Sequence, residues 1–389
     1  MNSFTEDLWS IILARLPLKS IITSKLVCKQ WKSIVESPYF RKSLYQNLHS
    51  YSWSLLVWDD KKDVGTTLYG CEPSIGSYIS SFLTNKFEIQ RDKYEYSVWD
   101  YTDVGLILIS EVSKKPSILI NAVYVANPVS QDCIELPSHL KGYVFPLGIV
   151  TRAENGVVLD YKVVLLDFGN VNENMEISLL IYSSETGLWS LSIVHLPSSL
   201  YYGYFFRSIS LNGNLYWLNH RDSGNEDVIV SHDFYATGTD SDRFRVARFP
   251  DSGKHPKFKR ACTISQGFLM YMNVVSITKD DGSLEDKLSI WKLKSGEWQL
   301  VSEISADFVN PGFDHIPVTI NSVDAKTVYF WNKKHKSLVS ANLCNGKFVL
   351  HSELEHSGRS PNSVECIIRS DCPSFVLPRW LYLIPVRSV

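Results

Sequence analysis

The residues able to do chemistry are present in this chain but not gathered by spacing. Ten histidines are dispersed along it, and His195, His220, His232, His255 and His315 would meet only if the fold bent the chain into a ring. Isolated histidines are ordinarily surface residues or satisfied core residues. No Walker loop, GxGxxG, HExxH or GxSxG occurs, so phosphate, dinucleotide, zinc-protease and hydrolase chemistries have no anchor. The seven cysteines, at 28, 71, 133, 262, 344, 366 and 372, form no CxxC pair and have no histidine at a zinc spacing. They read as reduced structural thiols, and neither a metal nor a cofactor is expected. No pair of acids is set apart by its spacing. What does concentrate is of another kind. Tyr201, Tyr202, Tyr204 and Phe205 form an aromatic run continued by Phe206, and Lys254, His255, Lys257 and Lys259 form a basic run continued by Arg260. An aromatic anchor with a charged rim suits a protein partner better than a reaction centre. Packing between strands and plain solvation are the alternatives.

Composition agrees with a binding protein that folds in a reducing compartment. The chain has 389 residues, 44% hydrophobic and 21% charged, with a net charge of −2. That excludes extensive disorder and gives no global reason for nucleic-acid binding. There is no Asn-x-Ser/Thr site, the N-terminal apolar residues are interrupted by Glu6, Asp7 and Arg15, and no apolar run is long enough to span a membrane. Cytosol or nucleus is the expected location. Residues 1–50 hold seven Lys/Arg against Glu6, Asp7 and Glu36, a balance of +4 that leaves −6 for the remainder.

Two kinds of element must position these residues. Leu8, Ile11, Ile12 and Leu16 fall at i, i+3, i+4 and i+8, and Val27, Trp31, Ile34 and Val35 at i, i+4, i+7 and i+8. Both sets have a helical period. Thr5 can cap the first helix, Glu6 and Asp7 suit its positive end, and Pro17 stops it. A second helix is expected from about Lys19 or Ser20, bending around Cys28 and ending before Pro38. A module this small cannot bury all of its apolar surface, so a docking face is expected on it.

After about Ser50 the pattern changes to short apolar runs punctuated by turns, with Trp, Tyr and Phe at 13% of the chain. The runs fall into five groups of four. These are 97–101, 106–111, 123–127 and 133–136; 146–151, 162–167, 178–183 and 189–194; 208–211, 215–219, 228–234 and 244–249; 262–265, 268–274, 288–293 and 298–303; and 319–323, 328–332, 338–343 and 348–353. Asn212-Gly213 is the strongest hairpin signal among their turns. Similar third-strand segments start at Leu179, Leu288 and Leu338, which lie 109 and then 50 residues apart and imply a period near fifty. Four strands per such period indicate a β-propeller. Trp53–Trp58, Thr67–Tyr69 and Ile367–Leu383 remain over, and a blade completed from both chain ends would use them, giving about six blades, with five or seven as the alternatives. In such meandering blades one face carries short turns, at Asn212-Gly213, Ser184–Gly187, Lys294–Gly296 and Asn345-Gly346. The other carries the long links Ser113–Asn121, His195–Phe206, Asp251–Arg260, Ser276–Asp286 and Ala306–Pro317, where binding is usually placed.

Asp7-Leu8, Ile12-Leu13, Arg15-Leu16-Pro17, Lys19-Ser20, Val27-Cys28-Lys29, Trp31 and Pro38-x-Phe40 resemble the F-box. The segments 127–137, 161–164, 181–190, 211–218 and 288–301 resemble the kelch-like, F-box-associated β-propeller domain of a large plant family. The resemblance implies an F-box module of three helices over 1–48 and a propeller over 49–389. It further implies a non-catalytic substrate receptor of an SCF-type cullin-RING ubiquitin ligase, its F-box holding the SKP-type adaptor through Leu8, Ile12, Leu16, Pro17, Val27 and Trp31. Phe4-Thr5 stands where the family usually has Leu-Pro, a departure that bears on adaptor affinity. The turn Ser183–Trp189, SSETGLW, is similar to one repeated in propeller sialidases, and its plainer meaning is a hairpin turn with Trp189 packed between blades. A propeller lectin or enzyme with a helical cap, and an F-box protein acting by binding alone, are the competing readings.

Overall fold

The computed structural model describes residues 5–16, 18–37, 39–40, 81–82, 85–87, 94–113, 120–138, 144–154, 157–167, 176–195, 206–219, 228–237, 243–251, 258–278, 280–282, 284–305, 315–322, 324–332, 337–345, 348–350 and 384. The chain divides into two compact units. One comprises Met1–Leu56, Leu68–Val194 and Phe375–Val389, and the other Val57–Thr67 and His195–Ser374.

Three short helices open the first unit: α1 (Glu6–Leu13), α2 (Leu18–Ser24) and α3 (Lys29–Glu36). Thr5 stands at the N-cap of α1, yet its side chain makes no capping bond, so the acidic pair Glu6 and Asp7 is what complements that end. The expected bend around Cys28 is a break. After α2, Lys25, Leu26 and Val27 donate their N–H groups to the carbonyls of Ile22, Thr23 and Ser24, the tightening that ends a helix. Cys28 then takes an extended conformation and its Sγ accepts from the Trp31 N–H at 3.4 Å, restarting the chain as α3. Val27 therefore lies outside both helices. Leu13, Ala14, Ile21, Ile34, Val35 and Phe40 are buried, and Trp9 of α1 meets Trp31 of α3 at 4.9 Å between ring centroids. Lys25 and Glu36 close the module with a 3.0 Å ion pair.

Among the described residues the rest is mainly strand, forming five four-stranded antiparallel sheets in strict chain order. In the first unit these are β1 (Tyr94–Tyr101), β2 (Ile107–Ser113), β3 (Ile120–Asn127) and β4 (Asp132–Glu135), then β5 (Val144–Glu154), β6 (Val157–Asp167), β7 (Glu176–Ser183) and β8 (Leu188–His195). The second unit holds β9 (Phe206–Leu211), β10 (Asn214–Asn219), β11 (Val228–Asp233) and β12 (Phe244–Arg248); β13 (Phe258–Ser265), β14 (Phe268–Thr278), β15 (Leu284–Lys294) and β16 (Glu297–Ser305); and β17 (His315–Ile320), β18 (Thr327–Asn332), β19 (Ser337–Asn342) and β20 (Phe348–Leu350). Each sequence-defined group of four corresponds to one sheet. The leftover runs at 53–58, 67–69 and 367–383 lie outside the described residues.

Within each unit, successive sheets adjoin through their first strands. The Ile149 N–H of β5 donates to Asp100 Oδ2 of β1 at 2.9 Å, and Thr151 Oγ1 donates to Asp103 at 3.2 Å. In the second unit the hydroxyls of Thr263 and Thr319 lie 2.8 Å apart, and Ser265 Oγ donates to the Asn321 carbonyl at 2.6 Å. Every first strand thus has a neighbour, and every fourth strand forms an outer edge, which is how propeller blades are laid out. Apolar layers fill the space between sheet faces. Leu108, Val125, Ile149 and Leu165 pack between the first two sheets, Leu211, Phe249 and Tyr271 between the third and fourth, and Met272, Ile320 and Phe330 between the fourth and fifth. Each such side chain contributes about 1.5–3 kcal/mol by burial.

Two loop readings change. The link at 276–286 is mostly hairpin, because β14 and β15 pair out to Thr278 opposite Leu284. The link at 251–260 is shortened by β13, which begins at Phe258. One connection on the short-turn side is long, namely residues 234–243 between β11 and β12.

Candidate functional site

The helical module presents apolar side chains in two directions. Ser10, Leu13 and Ala14 face inward, while Leu8, Ile11 and Ile12 are 45%, 48% and 43% exposed on the opposite side of α1. Leu26 and Val27, in the break between α2 and α3, are exposed at 87% and 64%. A lone exposed Leu needs no explanation, but three apolar residues on one helix face make a patch. Of the predicted adaptor residues, Leu8, Ile12 and Val27 point outward. Leu16 and Trp31 are half-buried, Trp31 against Trp9, and Pro17 lies outside the described residues. Sequence reasoning left out Ile11 and Leu26. Ile11 was legible as part of the i, i+3, i+4 set. Leu26 was hidden by treating 19–37 as one bent helix.

Tyr201, Tyr202, Tyr204, Phe205, Lys254, His255 and Lys257 lie outside the described residues. Lys259 sits on β13 with its backbone opposite Val274, and its side chain is outside the description. The ends of the basic segment are structural. Asp251 accepts from Tyr271 Oη at 2.6 Å and from Asn273 Nδ2 at 2.8 Å, and Arg260 lies 5.1 Å over the Phe249 ring.

Other polar groups that invite a chemical reading are tied into their own sheets. Glu111 is buried and accepts from Tyr96 at 2.8 Å, from Tyr124 at 3.1 Å and from the Asn121 amide. Burial, then the Glu111 charge beside them, pushes both phenols above the usual tyrosine range. That makes them permanent donors and Glu111 a knot joining β1, β2 and β3. The turn at Ser184 is likewise structural: Ser184 Oγ donates to Asp160 at 2.6 Å and accepts from the Tyr161 N–H at 2.9 Å. Trp189 packs on Tyr182 and donates Nε1–H to the Pro137 carbonyl at 2.8 Å, bridging the first two sheets. His232 is packed between Phe234 and Phe244, and His315 Nε2 lies 3.0 Å from Asn332 Nδ2. Among the described residues, no group of three or more His, Cys, Asp or Glu could hold a metal ion. No described helix is long and apolar enough to cross a membrane.

Comparison with known proteins adds two family matches and several relatives. Residues 1–43 match the F-box domain, and residues 51–386 match the family described as F-box protein At3g26010-like, beta-propeller. F-box protein At3g28330 of Arabidopsis thaliana is similar at 52% identity over 408 residues, covering 100% of this chain and 98% of that one. Putative F-box/kelch-repeat protein At1g15680 of the same plant is similar at 33% over 416 residues, covering 98% and 94%. F-box protein At3g26010 itself is similar at 32% over 412 residues, covering 98% and 90%.

Proposed function

Since the chain belongs to the F-box proteins that carry an At3g26010-like β-propeller, we propose that it is the substrate-recognition subunit of an SCF-type cullin-RING ubiquitin ligase. The observation that carries this reading is the outward apolar face of α1, Leu8, Ile11 and Ile12, set opposite the stripe that the module buries for itself. An SKP-type adaptor covers that face together with Leu16, Pro17, Val27 and Trp31, and Leu26 adds to it. The subunit does no covalent chemistry of its own. It raises the target's effective concentration beside the ubiquitin-loaded enzyme.

The second part of the proposal concerns the body. Residues 49–389 form one kelch-like ring of six blades behind an F-box module at 1–48, closed by strands from both ends of the chain. The burial of Ile384 among Leu108, Val125 and Ile149 supports that closure, since it brings residues near the end of the chain into the core of the first sheets. The target is a protein held by the long links, with Tyr201, Tyr202, Tyr204 and Phe205 as anchor and Lys254, His255, Lys257 and Lys259 as rim. The complex works in the cytosol or nucleus, without a cofactor, nucleic acid or membrane. Affinity purification of the intact chain from plant cells tests both halves. Adaptor, cullin and a target are expected together, and Tyr202→Ala with Phe205→Ala is expected to lose the target while keeping the adaptor. Recovery of adaptor without cullin would favour a protein that acts by binding alone.

A further inference from the structure

Each sheet ends in an outer edge strand, and a fold with open edges must keep them from pairing with other chains. Three of the described edges carry a protection visible in their residues. β4 is four residues long and holds Asp132 and Glu135, β12 holds Arg245 and Arg248, and β16 holds Glu297 and Glu303. β8 has none. Its eight residues read LWSLSIVH, with no charge and no proline through Val194, and Leu188, Leu191 and Ile193 are 65%, 56% and 52% exposed. Among the described strands β7 is its sole partner, and no described strand pairs with its other side.

From this we infer that the β8 edge is the self-association surface of the protein, taking the β8 strand of a second copy in antiparallel pairing. The occupant follows from the residues themselves. A two-fold axis perpendicular to the sheet keeps like faces together, so each residue meets one an even number of positions away. An axis at Leu191 sets Ser190 opposite Ser192, Trp189 opposite Ile193 and Leu188 opposite Val194. No like charges meet in this pairing, whereas β16 paired with itself about Leu300 would set Glu297 opposite Glu303. The two sheets would join as one eight-stranded sheet, with Leu191 beside its counterpart and Ile193 covered by Trp189. The inference does not depend on the ligase reading.

Sedimentation velocity on the full chain, from about 1 to about 100 μM, tests it, because a one-strand interface is small and supports only weak association. The mean mass is expected to rise from 44.4 kDa towards twice that value. Leu191→Lys and Ile193→Lys, both at exposed positions, are expected to raise the dissociation constant by about tenfold or more, while Val301→Lys on the charged β16 edge leaves it unchanged. Amide exchange supplies a reading without substitution: protection that grows with protein concentration is expected within 188–194. A single-chain mass at the highest concentration overturns the inference, in favour of a strand from a different protein. Association that survives both lysines, or concentration-dependent protection at another edge alone, overturns it as well.

Discussion

Gly213 shows what a single residue fixes here. Together Asn212 and Gly213 adopt φ of 50° and 77°, the pair that a two-residue hairpin turn between twisted strands requires. A Cβ on Gly213 would lie 2.7 Å from Tyr235 Cδ2, whereas Gly267 and Gly296, with similar φ, have open space. Gly213→Ala is therefore expected to lower unfolding free energy by about 2–3 kcal/mol, and Gly296→Ala by only about 1, in urea titration. The Asn-Gly turn was legible in sequence because its residue types announce positive φ. Gln266-Gly267 makes the same turn from a less telling pair. Also missed was a repeated device at the ends of third strands, where Asn127, Asp233 and Asn342 each accept two backbone N–H groups of the following turn. Its period is visible only once the strands are aligned. Cysteine chemistry gives a second test at this scale. Cys28 and Cys344 are exposed, while burial pushes the Cys133 thiol up to about 11 against the pull of Lys86. At pH 8 iodoacetamide should label Cys28 and Cys344 well ahead of Cys133, by peptide mass spectrometry. Because the folded pKa is the raised one, Cys133's contribution to stability is present below the unfolded value near 8.5 and is lost as pH rises towards about 11.

At the scale of elements, strands were easier to find than helix boundaries. Sheet residues alternate or run apolar between unmistakable turns, and each run of the five groups found its place. Their extents fell short at β14 and β15, because polar residues such as Lys287 and Asp286 continue the pairing beyond the apolar stretch. The helical region shows the opposite difficulty. Val27, Trp31, Ile34 and Val35 share a period, yet the chain is broken between them, since a thiol at Cys28 can start α3 afresh. Spacing also could not separate the face that α1 buries from the one it offers, as both are apolar. The two faces are expected to answer differently to truncation. Leu13→Ala should cost about 2–4 kcal/mol and loosen the module, while Ile11→Ala should leave its melting unchanged, measured by circular dichroism.

For the whole molecule, order and repeat were legible, whereas the expected joining of its ends rested only on a count of unused runs. Ile384 is buried with side chains of β2, β3 and β5 at least 235 positions earlier in the chain. Ile384→Ala is expected to destabilise the first unit by about 2–4 kcal/mol, read as earlier loss of amide protection in β2 and β5. The proposed function rests at this scale on a division between helices that dock and sheets that hold. The most direct measurement is calorimetric titration of the purified full chain with an SKP-type adaptor, for the parent and for Leu8→Asp with Ile12→Asp. The account predicts tight one-to-one binding that weakens by about a hundredfold or more in the substituted chain, whose circular dichroism stays unchanged. Equal affinity of the two chains, or no binding by the parent, would contradict it.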